Sequence, residues 1–204
     1  MSAFSLLAIA PAQAVILDFQ SLEQNNDIGN NVGTSYTEDG FTVSQPGTQP
    51  YALFAFGTQS RSYPGSTALF NNNRDGVTRL TQVGGGAFTL SSIDLADLFN
   101  DGSQAPVTFT GLRADSSTTT QSFVTDNLSG LQTFNFSNFT NLVSVDWTQD
   151  TFSGHQFDNI NVSSSTTTAV PEPFTILGTL FGAGSGFILK RKLAKVQQDK
   201  QDIG

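Results

Sequence analysis

Apolar and polar residues alternate with a period of two along much of the chain between residues 15 and 162. The alternation is clearest in three segments: 40–44, 107–110 and 142–147. In the last of these, Val143, Val145 and Trp147 share one face, as expected of a strand with one buried side. Comparable β-branched and aromatic content occurs in four more segments: 15–19, 119–125, 131–136 and 156–162. The pattern therefore predicts an all-β body.

The segment 87–95 interrupts its own alternation. Phe88 and Leu90 share one phase, whereas Ile93 and Leu95 share the other. This slip at Ser91-Ser92 predicts a β-bulge. We expect the following residues, as far as Phe99, to form the end of the strand or a short helix.

Turn motifs separate the predicted strands. They are Glu38-Asp39-Gly40, Arg74-Asp75-Gly76, Gly84-Gly85-Gly86, Asn100-Asp101-Gly102 and Ser129-Gly130. Short strands at this spacing predict a β-sandwich or jelly roll over residues 15–162. A domain of about 148 residues can bury most of its extended surface, so it can be stable without disulfides, which this cysteine-free chain cannot form.

The first 14 residues are predicted to be a signal peptide. An apolar run over residues 3–10 is followed by Ala12-Gln13-Ala14, whose small side chains suit a signal peptidase, so we expect cleavage after Ala14. No Lys or Arg precedes the apolar run. We therefore expect the peptide to be truncated and the true start to lie upstream of Met1.

Residues 174–189 are predicted to form a single C-terminal transmembrane helix. These sixteen uncharged, mostly apolar residues would span about 24 Å as a helix, short but workable for a bilayer. Lys190, Arg191 and Lys192 follow as a stop-transfer signal that stays cytoplasmic, with 196–204 as a polar cytoplasmic tail. The body then lies outside. Three glycines four residues apart provide a helix-packing face: Gly178, Gly182 and Gly186.

A stiff, extended element connects the body to this helix. Residues 163–169 form a Ser/Thr-rich linker. Pro171, Glu172 and Pro173 come next, and the two prolines hold the backbone extended and remove two amide donors. Such an element can be threaded into the active site of an enzyme.

The proline–glutamate–proline element, the glycine-rich apolar helix and the basic cluster occur in this order within 170–195. This combination closely resembles the PEP-CTERM sorting signal. The resemblance implies recognition of Pro171, Glu172 and Pro173 by an exosortase, a membrane transpeptidase. It also implies removal of the tail, and a location at the surface of a diderm bacterium that makes exopolysaccharide. The body more loosely resembles the sandwich ectodomains found upstream of such signals, through Asp18-Phe19…Leu22, Glu38–Phe41 and Phe157–Ile160.

Charge excludes one class of partner. The chain carries a formal charge of −8, and residues 15–168 contain fourteen acidic and four basic residues, a net charge of 4 − 14 = −10. Nucleic-acid binding requires a basic surface, so we expect no nucleic-acid partner.

Enzyme chemistry has weak support. A hydrolase would need His155 as base with Asp158 as its orienting acid, but no serine lies in a Gly-x-Ser-x-Gly turn. We therefore expect His155 to be a turn or surface residue. Six of the fourteen acidic residues in 15–168 lie beside Gly or Asn, where turn formation explains them better than paired-carboxylate catalysis. The sequence predicts no catalytic residues.

Calcium and sugar are the two ligands that the residues suggest. Asn71, Asn73 and Asp75 partly match the opening of a calcium loop, and the competing interpretation is a polar hairpin loop. A structural calcium between the first and last strands could use Asp18 and Asp158.

Sugar binding would need exposed aromatic rings beside amides. The candidates are Tyr51, Tyr63, Trp147 and Asn71–Asn73, although Trp147 fits core packing better.

Three hypotheses follow. The first is an exported, non-enzymatic surface or extracellular-matrix protein that associates with exopolysaccharide and needs no cofactor. The alternative is a lectin-like carbohydrate-binding module, and the third is a secreted hydrolase.

Overall fold

A computed structural model describes residues 14–99, 104–126, 128, 130–150 and 153–165. This part of the chain forms thirteen strands and one 3₁₀ turn at Gln20–Leu22. The strands are β1 (Ala14–Leu17), β2 (Gly29–Gly33), β3 (Ser35–Glu38), β4 (Phe41–Ser44), β5 (Leu53–Phe56), β6 (Leu69–Asn71), β7 (Val77–Gln82), β8 (Phe88–Asp97), β9 (Pro106–Arg113), β10 (Thr118–Val124), β11 (Gln132–Asn135), β12 (Leu142–Thr148) and β13 (His155–Ser164). The prediction of an all-β body is confirmed.

The strands form a sandwich with two layers. Sheet 1 has the order β2-β5-β6-β13-β8-β11, and β1 pairs with the second half of β13. Sheet 2 has the order β3-β4-β7-β12-β9-β10. All strand pairs are antiparallel, and the pairing of Leu142 with Phe88 joins the two sheets along one side. The arrangement is therefore a sandwich with a partly closed, barrel-like edge.

The predicted bulge lies where the alternation slips. Along β8 and β13, Asn161 pairs with Ser92 and Val162 with Leu90, so Ser91 is the extra residue. β13 has its own irregularity between Asp158 and Asn161, where Asn159 adopts a positive φ of 46°. Asparagine tolerates this left-handed conformation better than most residues do. The two irregularities compensate for each other and keep the rest of both strands in register.

Aromatic side chains fill the space between the sheets. Trp147 on β12 packs edge-on against Phe157 on β13, with ring centroids 5.0 Å apart, and against Phe109 at 5.4 Å. Phe41 on β4 meets Phe88 on β8 at 5.5 Å. The Trp147–Phe157 and Phe41–Phe88 contacts cross from one sheet to the other, and Trp147 is 2% exposed, so the prediction that Trp147 belongs to the core is confirmed.

β13 continues to Ser164, two residues beyond the predicted end of the body. No helix within the described residues is long and apolar enough to cross a bilayer. The signal-peptide residues before Ala14 and the whole segment after residue 165 lie outside the described residues.

Candidate functional site

Four loops meet at one end of the sandwich and enclose a cleft of about 960 Å³. They follow β4 (46–51), β6 (71–77), β8 (98–99) and β12 (149–150 and 153–154), and each contributes residues to the lining. The cleft falls within the size range of small-molecule sites, which extends to about 1,000 Å³.

The first two loops are held together by a reciprocal hydrogen-bond pair. The backbone N–H of Tyr51 donates to Asn73 Oδ1 at 2.9 Å, and Asn73 Nδ2 donates to the Tyr51 carbonyl at 2.9 Å. Both bonds span 22 residues of sequence and leave Asn73 5% exposed. The backbone of Tyr51 is therefore tied to the loop that follows β6.

Asn71 lies at the centre of the hydrogen-bond network that forms this side of the cleft. Its Oδ1 accepts from Gln45 Nε2 at 2.8 Å and from Asn73 Nδ2 at 2.7 Å. Its Nδ2 donates to the Val77 carbonyl at 3.0 Å. A Cβ at Gly76 would lie 2.7 Å from Asn71 Oδ1, so only glycine fits this close approach. The loop after β6 is thus a packed polar wall.

The other two loops are fixed by backbone hydrogen bonds. The N–H of Gln149 donates to the Gly76 carbonyl at 2.9 Å, and the N–H of Leu98 donates to the Gly154 carbonyl at 2.9 Å. Through these two bonds and the Tyr51–Asn73 pair, all four loops are connected to one another. A cleft built in this way is preorganised, which reduces the entropy lost on binding.

The cleft combines aromatic rings with polar groups. The Tyr51 side chain is 61% exposed and the Phe99 side chain is 57% exposed, and both line the cleft. The exposed side chains of Asn72, Arg74 and Asp75 line it as well. Amide, guanidinium and carboxylate groups can bond to hydroxyls as donors and acceptors, and an aromatic ring offers an apolar face. This set of groups can bind a polyhydroxylated ligand that has both apolar and polar faces.

Part of the predicted sugar site is brought together here. Tyr51 and Asn71–Asn73 line the same cleft. Trp147 is 2% exposed in the core, and Tyr63 lies outside the lining, with its hydroxyl 3.4 Å from Glu23 Oε2. Phe99 and Asp150 also line the cleft and were not predicted as site residues, because each comes from a different loop and only the fold brings them to the same cleft as Tyr51.

The loop of Asn71, Asn73 and Asp75 differs from the expected hairpin. β6 belongs to sheet 1 and β7 to sheet 2, so the loop crosses between the sheets. The side-chain oxygens of Asn71 and Asn73 accept hydrogen bonds from protein N–H groups, and a calcium ion would have to displace those donors. No cluster of three or more His, Asp or Glu in the described residues is arranged to hold a metal ion. Calcium binding at this loop stays a prediction.

Asp18 and Asp158 lie at the junction of the first and last strands. β1 and β13 are paired directly there, with Leu17 opposite Ile160. Asp158 is fully buried, and its Oδ1 accepts from the N–H of Asn159 at 2.8 Å. Burial is the main cause that raises the pKa of Asp158 to about 7, and the nearby carboxylates of Asp94 and Asp18 add to the rise. A calcium ion held by Asp18 and Asp158 likewise stays a prediction.

The expectation that His155 is a turn or surface residue is wrong. His155 is the first residue of β13 and is fully buried, and neither ring nitrogen has a hydrogen-bond partner among the residues that the structure describes. Burial lowers the pKa of His155 to about 4, against a weak opposing effect of Asp150. A buried, neutral imidazole is not placed to act as a base on a ligand in the cleft.

The sorting elements are not part of the described structure. Pro171, Glu172, Pro173, the three helix-packing glycines and Lys190–Lys192 all lie beyond residue 165. Their roles stay predictions.

Comparison with known proteins identifies no family. No protein-family model and no curated protein sequence matches the chain. Among solved structures, the CBM22-1 xylan-binding domain of Xyn10C from Paenibacillus barcinonensis is 12% identical, with a TM-score of 0.41 over 79% of this chain and 100% of that one. The family 32 CBM of NanJ from C. perfringens, in complex with galactose, is 12% identical, with a TM-score of 0.38 over 66% and 99% of the two chains. Identities and TM-scores this low do not transfer a ligand to this chain.

Proposed function

We propose that the β-sandwich is a carbohydrate-binding module that uses the cleft at its end. The observation that carries the proposal is the pairing of two exposed aromatic side chains, Tyr51 and Phe99, with hydrogen-bonding side chains in one preorganised cleft. A sugar ring presents C–H groups to an aromatic face and hydroxyls to amides and carboxylates.

Replacing Tyr51 and Phe99 by alanine tests this proposal. We expect the full chain to bind at least one polysaccharide in a panel of plant and bacterial glycans. The double variant Tyr51→Ala/Phe99→Ala should lose about 100-fold in affinity, because each ring contributes on the order of 1–2 kcal/mol of apolar contact. Affinity gel electrophoresis or calorimetry would measure the change.

The control replaces equally exposed apolar residues outside the cleft. Ile28 and Leu128 are 59% and 65% exposed, and neither lines the cleft. The variant Ile28→Ala/Leu128→Ala should bind like the unmodified chain. Equal loss in both double variants, or no binding to any glycan by a folded chain, would contradict the proposal.

A hydrolase is the second candidate, because Asp75 and Asp150 line the same cleft. Glycoside hydrolysis commonly uses two carboxylates. Under the binding proposal, the bound polysaccharide releases no new reducing ends. Release that Asp75→Asn abolishes would favour the hydrolase instead.

We further propose that the module is an exported, exosortase-processed protein at the surface of a cell that makes exopolysaccharide. The support is the sequence: a signal peptide over 1–14, the Pro171-Glu172-Pro173 element, the apolar segment 174–189 and the basic cluster after it. The partners are then the membrane, a transpeptidase and extracellular polysaccharide.

Mass spectrometry of the protein from its native cell tests the sorting proposal. We expect a mature N-terminus at Val15 and a C-terminus near residues 171–173, because both apolar ends are removed during export. The variant Pro171→Ala/Pro173→Ala should keep its tail and stay in the membrane fraction. An intact, unprocessed chain in the cytoplasm would contradict the proposal.

A further inference from the structure

A second groove of about 510 Å³ continues from the cleft onto the outer face of sheet 2. The two concave surfaces share four lining residues: Asp75, Val77, Gln149 and Asp150. They therefore meet at the rim between the loops after β6 and β12. A ligand seated in the cleft has an open path onto the sheet.

The groove is built from the outward side chains of two neighbouring strands. Pro106, Thr108 and Thr110 of β9 are exposed, while the residues between them, Val107 and Phe109, are fully buried. On β12, Asp146 pairs with Thr110 across the sheet, and Thr148 completes the lining. The floor is thus a row of threonine hydroxyls over a rigid part of the core.

The groove on sheet 2 is longer than one sugar ring. Pro106 begins β9 at the rim of the cleft, and Thr110 lies four residues further along the strand. At about 3.3 Å per residue, the groove extends roughly 13 Å along β9 beyond the rim. A monosaccharide in the cleft would leave this hydroxyl row unused, whereas a polymer would occupy both surfaces.

The net negative charge of the body around the groove disfavours an anionic ligand. Asp75, Asp146 and Asp150 all contribute to its lining. Arg79 and Asp146 neutralise each other through a two-bond ion pair, with Nε–Oδ1 at 2.7 Å and Nη2–Oδ2 at 2.6 Å, so this pair adds no net charge to the groove. The surrounding body is itself strongly acidic. Uronate or sulfated chains would be repelled, and uncharged chains would not.

Building on the proposed function, we infer that the ligand is an uncharged polysaccharide bound along its length, with one part in the cleft and the next sugars over the threonine row. The cleft provides aromatic contacts, and Thr108, Thr110 and Thr148 provide hydroxyls that bond to the chain as it crosses sheet 2. Affinity then depends on the number of sugars.

Calorimetry with oligosaccharides of defined length tests the inference on the full chain. The probes are xylose, mannose and glucose oligomers of one, three and six units, together with hexameric oligogalacturonate. In at least one uncharged series the hexamer should bind about tenfold or more tighter than the monomer, the gain expected from one or two added hydrogen bonds. The oligogalacturonate should bind more weakly than that hexamer.

A threonine-to-valine triple variant locates the added contacts. Thr108→Val/Thr110→Val/Thr148→Val keeps the side-chain shape and the β-propensity, so the fold is preserved. It should bind the hexamer about tenfold more weakly and leave monomer binding unchanged. The matched control, Thr37→Val/Thr118→Val/Thr140→Val, changes three exposed threonines outside both surfaces and should change neither affinity.

The outcomes separate the inference from the function on which it rests. Equal affinity for monomer and hexamer, with binding that depends on Tyr51 and Phe99, would overturn the inference and leave the proposed function in place. Tighter binding of the oligogalacturonate would also overturn it. Absence of binding to any carbohydrate would overturn both.

Discussion

Replacement of Trp147 by alanine is expected to lower the free energy of unfolding by about 3–5 kcal/mol, the range for removing a large buried aromatic side chain. Trp147 is 2% exposed and contacts aromatic rings of both sheets, Phe109 and Phe157. Its removal would leave a cavity at the centre of the sandwich. Because small domains are stable by only about 5–15 kcal/mol, urea denaturation should show a large shift of the midpoint.

The next residue on the same strand is the control. Thr148 is exposed, so Thr148→Ala should change the free energy of unfolding by no more than about 0.5 kcal/mol. A loss below about 1 kcal/mol for Trp147→Ala would show that Trp147 does not hold the two sheets together.

Two buried ionisable groups are expected to give stability opposite dependences on pH. The pKa of Asp158 is raised from 3.8 to about 7, so between these values the folded chain binds more protons than the unfolded chain. Its contribution to stability therefore falls as the pH rises through this window. The pKa of His155 is lowered from 6.5 to about 4, so here the unfolded chain binds more protons. This contribution rises with pH over that range.

In the native chain the two contributions to the free energy of unfolding change with pH in opposite directions and largely cancel. Single variants should reveal each pH dependence by itself. Relative to the native chain, Asp158→Asn should gain stability as the pH rises from 4 to 7, by up to about 4 kcal/mol. His155→Gln should show its greatest relative stability near pH 4 and lose up to about 3 kcal/mol of it by pH 6.5. Urea denaturation at several pH values measures both differences.

The double variant provides the internal check. His155→Gln/Asp158→Asn should show the sum of the two differences and hence little net slope between pH 4 and 6.5. Slopes of the same sign in the two single variants would contradict the burial of one of these groups.

The sequence predicts strands well where one face of the strand is exposed to solvent and the other is buried. The segments 40–44, 107–110 and 142–147 alternate because one side packs on the core and the other meets water, and each is a strand. The bulge at Ser91 was predictable because an extra residue must shift the phase of the apolar side chains. Five strands were missed: β2, β3, β5, β6 and β7. Among them, Gly29–Gly33 carries little apolar content and Leu69–Asn71 is buried throughout its three residues, so neither shows the alternation of a half-buried strand.

The start of β13 shows why the sequence wrongly predicted His155 to be a turn or surface residue. His155, Gln156, Phe157 and Asp158 are all buried, so two polar side chains and a carboxylic acid occupy positions that periodicity assigns to water. Only the flanking strands and loops cover them. A pattern of local hydrophobicity cannot detect burial that distant segments provide.

The cleft was even less accessible to sequence reasoning. Tyr51, Asn73, Phe99 and Asp150 come from four loops spread over 100 residues, and antiparallel pairing brings the ends of their strands together. Tyr51 and Asn73 were predictable as loop residues with suitable chemistry. Their position on the same side of the cleft follows from the hydrogen bonds between Tyr51 and Asn73, which join residues 22 apart in the sequence.

The most direct test of the proposed carbohydrate site is amide chemical-shift mapping of the full chain by NMR, during titration with the tightest-binding oligosaccharide. We predict shifts concentrated in the loops 46–51, 71–77, 98–99 and 149–150, with a smaller set along 106–110. Shifts confined to the opposite end of the sandwich, in the loops 83–87, 114–117 and 137–141, would contradict it.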